Sequence, residues 1–246
     1  MRQAAYQKVS VRLVRTFGVV LCGLIVLGAG LALYSRYVKE RKYPDRPLPG
    51  KMSNPVLALE LVKSKEEVEM VLGSGEEESG KITRAMMRED LKGDSYVFIP
   101  IYWLLIMAMG WLLTRRGPNR TRWAGIAAGV FVTGAVIFDY IENAGISRVL
   151  DKSITDVTDQ MALAIRRPSL AKWALIFAAM ALLASLFWRR NWIMLVALAY
   201  LLIATVGMVG LIYHPAIEKA FALMAIVTIP VALLFTFWPR QFLREF

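Results

Sequence analysis

"WAGIAAGVFVTGAVIFDYIEN", residues 123–143, carries no charged side chain from Trp123 to Phe138 and then closes on Asp139, Glu142 and Asn143. An uninterrupted apolar block of this length fits a helix crossing the roughly 30 Å hydrocarbon core of a bilayer, which takes about 20 residues. The closing polar residues stand at i, i+3 and i+4, so they share one helical face at one end of the span. The stretch thus predicts both a transmembrane helix and a polar cluster at its rim.

Similar blocks recur on either side. Spans are expected at 17–34, 95–114, 171–188, 192–213 and 217–238, which with 123–143 makes six. Of the 246 residues, 57% are hydrophobic and mean hydropathy is +0.48, above the roughly 45–50% apolar share of soluble domains. Charge is concentrated in tails and connections and, within the expected spans, stands near their ends. The expected fold class is therefore all-α, a polytopic membrane helical bundle with about six transmembrane helices and a small helical cap between spans 1 and 2. The organisation reads as a basic cytoplasmic tail at 1–16, a first span at 17–34, a polar extracytoplasmic segment at 35–93, and a five-helix membrane bundle at 94–246.

The net charge of +11 raises nucleic acid as a partner, but no nucleic-acid-binding module is visible. Cytoplasmic loops of membrane proteins collect Lys and Arg, and that accounts for the excess. The expected partners are the lipid bilayer and other membrane subunits or a second copy of the chain. Cys22, the single cysteine, lies inside an apolar block, which excludes an internal disulfide and makes it a packing residue. The tail "MRQAAYQKVSVRLVR" has four bases and no acid before the first apolar run. That run is longer than a signal-peptide core of about 7–15 residues and no small-x-small site follows it, so a retained first span is expected.

The polar segment begins with a proline-punctuated linker, "YPDRPLPGKMSNP". Asn54-Pro55 reads as an N-cap and first helical position ahead of "VLALELVK". Ser64 to Glu67, "SKEE", reads as a capping box, with Gly73 as the stop for that helix. "KITRAMMREDLKGD" is expected as a third helix leading into span two, and the segment as a whole as a cap lying on the membrane surface. Residues 144–170 read as a short amphipathic stretch, with Val149, Ile154 and Met161 toward the membrane and Asp151, Asp156 and Asp159 away from it. Trp123, Trp173, Trp188, Trp192 and Trp238 fall near span ends, as an interfacial aromatic belt requires.

The acid-free connections are "RRGPNRTR" (115–122), Arg189-Arg190 and the amino-terminal tail, while the carboxyl-terminal tail has Arg240 and Arg244 against the single acid Glu245. Placing these in the cytoplasm gives both termini inside. Against it stand Arg36, Lys39, Arg41, Lys42, Arg46 and Lys51 in the linker, because the positive-inside rule counts bases.

Asp94 opens span two, and Lys172 opens span four in "LAKWALIF". Asp139, Glu142, Asn143, Asp94 and Lys172 are therefore expected at one interface, with Lys172 as counter-ion to Asp139 or Glu142. Pro100 leaves the carbonyl of Tyr96 without its usual helical partner, and Tyr102 can offer a hydroxyl to the same cluster. A buried ion-pair network locking the helices and a site for a cation, proton or headgroup remain alternatives. His214 is the only histidine, so a His- or Cys-based zinc site lacks ligands, while carboxylate binding of Ca²⁺ or Mg²⁺ stays open. No nucleophile motif, P-loop or dinucleotide fingerprint is present and no cofactor is expected. Gly125, Gly129 and Thr133 give span three a small-residue face for close packing, within the chain or with a partner.

"ALELVKSKEEVEMVLG", "SYVFIPIYWLL" and "FDYIENAG" together resemble a group of uncharacterised bacterial polytopic integral membrane proteins. These carry a Phe-Ile-x-x-Tyr stretch in the second span, Asp-x-x-Glu-Asn ending the third, and a lysine opening the next. The resemblance covers about residues 55–190. In that group an acid precedes the tyrosine by seven residues; here Ser95 stands there, with Asp94 one residue earlier. The resemblance implies a bacterial inner-membrane protein and supplies no activity.

Two functional readings follow. The first is a non-enzymatic inner-membrane protein for small-ligand or ion binding, a transport-related role, or service as an accessory subunit. The alternative is a membrane-embedded lipid-modifying enzyme using Asp139 and Glu142 as acid/base or metal ligands.

Overall fold

The structure, a computed structural model, describes residues 11–33, 43–74, 77–116, 119–188 and 193–242. Most of the basic amino-terminal tail, the linker bases Arg36, Lys39, Arg41 and Lys42, the Arg189-Arg190 pair and Trp192 lie outside the described residues. Every α-helix and 3-10 turn below belongs to an all-α bundle, and no strand occurs among the described residues.

The helices are α1 (Val11–Leu33), α2 (Pro55–Glu60), α3 (Lys65–Leu72), α4 (Glu78–Gly93), α5 (Ile99–Arg116), α6 (Asn119–Leu150), α7 (Asp159–Phe187), α8 (Met194–Gly210) and α9 (Pro215–Phe237). Chain neighbours pack side by side in the order α5, α6, α7, α8, α9; α1 then lies against α9 and returns to touch α5. Short connections force this up-and-down order, because consecutive helices bury apolar faces most readily against each other. Four rods among the described residues are long and apolar enough to cross a membrane: Glu78–Leu112, Arg122–Leu150, Asp159–Phe187 and Pro215–Phe237. This is the make-up of a membrane protein. The apolar α8 is shorter, at 17 residues, or about 26 Å at 1.5 Å per residue.

Local signals held where they depend on a few neighbouring residues. The Asn54 side chain accepts from the amides of Val56 and Leu57, at 2.9 and 3.2 Å, and caps α2. Ser64 Oγ accepts from the Glu67 amide at 3.4 Å. The return bond of the capping box goes one residue upstream of the expected one, from the Lys63 amide to Glu67 Oε2 at 2.6 Å. Gly73 ends α3 with φ +72, a left-handed conformation that costs a glycine little.

Three expectations change. The helix from Glu78 leads into span two as expected, but it does so without a break, as one rod with α5 through a π-helical turn at Asp94–Phe98, and so belongs to the bundle as well as to the cap. In that turn the Ile99 amide reaches back five residues to the Asp94 carbonyl. This shift of the hydrogen-bond register just ahead of Pro100 is a common way for a helix to absorb a residue that cannot donate.

The amphipathic stretch at 144–170 is also absent as such. α6 continues to Leu150 and α7 begins at Asp159, leaving one short connection with a 3-10 turn at Ile154–Asp156. Val149 and Ile154 are buried in protein rather than turned to lipid, whereas Asp151, Asp156 and Asp159 are exposed as expected. The α6 extension is held by two arginines of α4. Arg84 Nη1 donates to the carbonyls of Val149, Leu150 and Lys152 at 3.2–3.4 Å, and Arg88 Nη2 to that of Leu150 at 2.8 Å. Cations at a helix carboxyl end satisfy its last carbonyls and oppose its dipole.

The polar segment buries more than expected. Leu57, Leu59, Leu61, Val62, Val68, Val71, Leu72 and Met87 are all in the core. The segment docks on the protruding ends of α6, α7 and α9 instead of forming a layer of its own. The Lys65 amide donates to Asp159 Oδ1 at 2.8 Å, and Arg166 donates to the Leu61 carbonyl. Glu218, in the first turn of α9, accepts from Ser53 and Asn54 at 2.7–2.9 Å.

Candidate functional site

The cluster is built at the end of the bundle that the polar segment covers. α6 supplies Asp139, Glu142 and Asn143 from one face, α7 supplies Lys172, and α5 supplies Tyr102. The Lys172 ammonium sits among three carboxylates, donating to Asp139 Oδ1 at 3.0 Å, Glu142 Oε1 at 3.0 Å and Glu60 Oε2 at 3.1 Å. A lysine has three N–H donors, and here each one faces an acid.

These four side chains are almost sealed from solvent, with exposures of 0% for Glu142, 2% for Asp139, 4% for Lys172 and 7% for Glu60. The outer oxygens have their own arrangements. Tyr102 Oη donates to Asp139 Oδ2 at 2.8 Å, and Trp173 Nε1 donates to Glu60 Oε2 at 3.1 Å. Glu142 Oε2 lies 2.8 Å from the Lys172 nitrogen as an ion pair. Oε2 thus has a charge contact with Lys172 and no hydrogen bond of its own.

The pairing of Lys172 with Asp139 and Glu142 and the approach of Tyr102 are thus present as geometry. Asn143 and Asp94 form an adjoining pair. Asn143 Nδ2 donates to Asp94 Oδ2 at 2.7 Å and to Ser95 Oγ at 3.0 Å. Asp94 makes no ion pair with Lys172 among the described residues; Ser95 and Asp94 both reach the motif through the amide.

Glu60 is the member that sequence reasoning missed. Its signal was a lone acid inside "VLALEL", where an apolar run next to a good N-cap implied burial and burial implies a partner for the charge. Trp173 also departs from expectation. Instead of joining an interfacial belt it is 4% exposed, stacking on Phe177 and meeting Phe221 edge-on at centroid distances of 5.6 and 6.1 Å. Trp123, Trp188 and Trp238 are exposed near helix ends, where a belt would have them.

His214 lies outside the cluster, at the junction of α8 and α9. Its Nδ1 faces the Gly210 carbonyl at 3.3 Å, and its Nε2 has no hydrogen-bond partner. Burial holds its pKa below the ordinary histidine value. Among the described residues no three His, Cys, Asp or Glu side chains converge as metal ligands; at the carboxylate cluster the Lys172 nitrogen stands where the acids converge. The small-residue face of α6 packs within the chain. A Cβ on Gly110 would come 2.8 Å from the Gly125 carbonyl oxygen, and one on Gly129 would come 3.2 Å from Met107 Sδ.

No known protein family matches this chain, and neither curated proteins nor solved structures yield a significant likeness.

Chemically, the arrangement holds three acids against one base in a medium that stabilises isolated charge poorly. With every group ionised, the site would carry two uncompensated negative charges. Hydrogen bonds from Tyr102 and Trp173 spread that charge without neutralising it.

Proposed function

We propose that this chain is a non-enzymatic, multi-pass protein of the bacterial inner membrane. Six spans leave both termini in the cytoplasm, and the Glu60–Asp139–Glu142–Lys172 cluster lies toward the outer face. The cluster takes up and releases a proton, in a transport-related role within a membrane assembly. The observation that carries this reading is the surplus of sealed carboxylates over base around Lys172. A proton is the smallest cation that reduces the surplus, each one taken up removing one of the two excess negative charges, and it needs no ligand shell beyond the oxygens already in place. Ionisable side chains held inside a membrane bundle commonly mark ion or proton pathways. The acid-free connections support the orientation, and the resemblance of residues 55–190 supports a bacterial inner membrane.

Infrared difference spectroscopy of the purified protein on raising pH tests this. The expected result is a protonated carboxyl C=O band that bleaches as the proton leaves. The band should be lost or displaced in at least one of Glu60→Gln, Asp139→Asn and Glu142→Gln. If no carboxyl band titrates across the pH range in which the protein stays folded, the cluster is a fixed ion network and the proposal fails.

A further inference from the structure

The outside of the bundle between the α4–α5 rod and α6 carries a groove made of two separate cavities that have no lining residue in common and differ in character. Its inner part is a cavity of about 600 Å³ whose walls include Met107, Trp111, Gly129, Val130 and Ile137. Its outer part is a cavity of about 450 Å³ bordered by Arg88, Lys92, Ser95, Tyr96, Tyr140 and Asp151. Both parts lie on one face of α6. Val130, Ile137, Ala144 and Asp151 follow each other at intervals of seven residues, close to two helical turns.

We propose that this groove binds one anionic glycerophospholipid of the surrounding bilayer, with its phosphate at Arg88 and Lys92 and an acyl chain along Val130 and Ile137. Polarity within the groove follows the order within such a lipid. Val130 and Ile137 are 63% and 56% exposed, and both stand in a rod apolar enough to cross a membrane. From Val130 to Ser147 the α6 axis rises about 26 Å at 1.5 Å per residue. That exceeds half of a bilayer about 40–45 Å thick, so one leaflet's lipid fits.

The charge at the outer end suits a single phosphodiester. Arg88 engages the α6 terminus only through Nη2, which reaches the Leu150 carbonyl at 2.8 Å and Asp151 Oδ1 at 3.2 Å. Lys92 makes no ion pair among the described residues. The charged residues that line the outer cavity are two bases, Arg88 and Lys92, and one acid, Asp151; Asp94 stands behind the wall, bonded to Asn143 at 2.7 Å. Arg84 lies one turn before Arg88, buried and facing carbonyls rather than a carboxylate. Tyr96, 80% exposed, and Tyr140, whose hydroxyl donates to the Ser95 carbonyl at 3.0 Å, flank the mouth. Aromatic hydroxyls favour this headgroup level. Arg, in turn, favours phosphate through its planar fork of donors.

The test uses the full chain in mild detergent with added phosphatidylglycerol, and phosphatidylcholine as the neutral control. Native mass spectrometry counts retained lipids and thermal melting reads stabilisation. The expected result is retention of phosphatidylglycerol and a melting shift with it, and a much smaller effect of phosphatidylcholine. Arg88→Gln/Lys92→Gln should lower the apparent affinity for phosphatidylglycerol about tenfold or more and erase the preference. Val130→Trp, which fills the chain end at an exposed position, should weaken retention of phosphatidylglycerol with both basic residues intact. Lys92→Gln alone breaks no ion pair among the described residues and gives a readout should the double variant fold poorly; it should lose part of the preference. Equal effects of the two lipids on the wild type would overturn the proposal. So would a preference that survives the loss of both bases. Dissociation of a dimer by Val130→Trp with lipid retention unchanged would assign the groove to a second copy and refute the lipid.

Discussion

Removing the one base of the cluster should be far costlier than removing any one of its acids, and Lys172→Met measures this. The substitution keeps an unbranched apolar side chain of similar length, so packing changes little. What is lost is an ammonium that touches Glu60, Asp139 and Glu142 at 2.8–3.1 Å while itself 4% exposed. Breaking a buried ion pair by deleting one partner costs about 3–5 kcal/mol, because the remaining charge is left uncompensated. Here three carboxylates would be left, and they can only take up protons or admit water. For a chain of this size 1 kcal/mol is worth about 2–4 °C in Tm, so a fall on the order of 10 °C is expected. Glu142→Gln leaves Lys172 with two acids and should cost about 1 kcal/mol or less, the net worth of one buried polar exchange. The double variant Lys172→Met/Glu142→Gln should recover part of the lysine loss, with a coupling of about 1–3 kcal/mol. Melting in a fixed detergent at one scan rate, followed by intrinsic tryptophan fluorescence, is the assay, because unfolding of such proteins is often irreversible. A Lys172→Met protein melting within a degree or two of wild type would refute the reasoning, as would additive losses in the cycle.

Further tests separate the parts of the fold. Tyr102→Phe removes the donor to Asp139 Oδ2 and nothing else of the ring, and should cost about 1–1.5 kcal/mol in the same melting assay. Asn54→Ala removes the cap of the helix that carries Glu60 and should cost about 1 kcal/mol, with faster proteolysis of the 43–74 segment as a second readout. His214 bears on pH. Its burial lowers its folded pKa, so the unfolded chain takes up a proton first as pH falls. Stability from this group is complete above the ordinary histidine pKa of about 6.5 and is lost progressively below it. The fall in Tm between neutral and mildly acidic pH should therefore be smaller in His214→Gln than in wild type, and an identical pH slope would remove His214 from the explanation.

What the sequence alone determined is whatever depends on interactions within about one helical turn or on average polarity. Apolar blocks, the caps at Asn54 and Ser64, the left-handed Gly73 and the shared face of Asp139, Glu142 and Asn143 all follow from spacing, so they could be read directly. The all-α bundle follows too, because a bilayer leaves an apolar chain few other ways to satisfy its backbone. Tertiary structure decided the rest. Glu60 reaches Lys172 across 112 residues of chain, and no local pattern ties a short helix near one end of the polar segment to the start of α7. α6 and α7 run past their apolar blocks because partners appear only on folding: Arg84 and Arg88 for the α6 terminus, Leu61 for Arg166. Without those contacts the polar ends of both helices would read as loop. The same docking sealed the acids from water, and that burial, invisible in the order of residues, is what gives their surplus charge its chemical consequence.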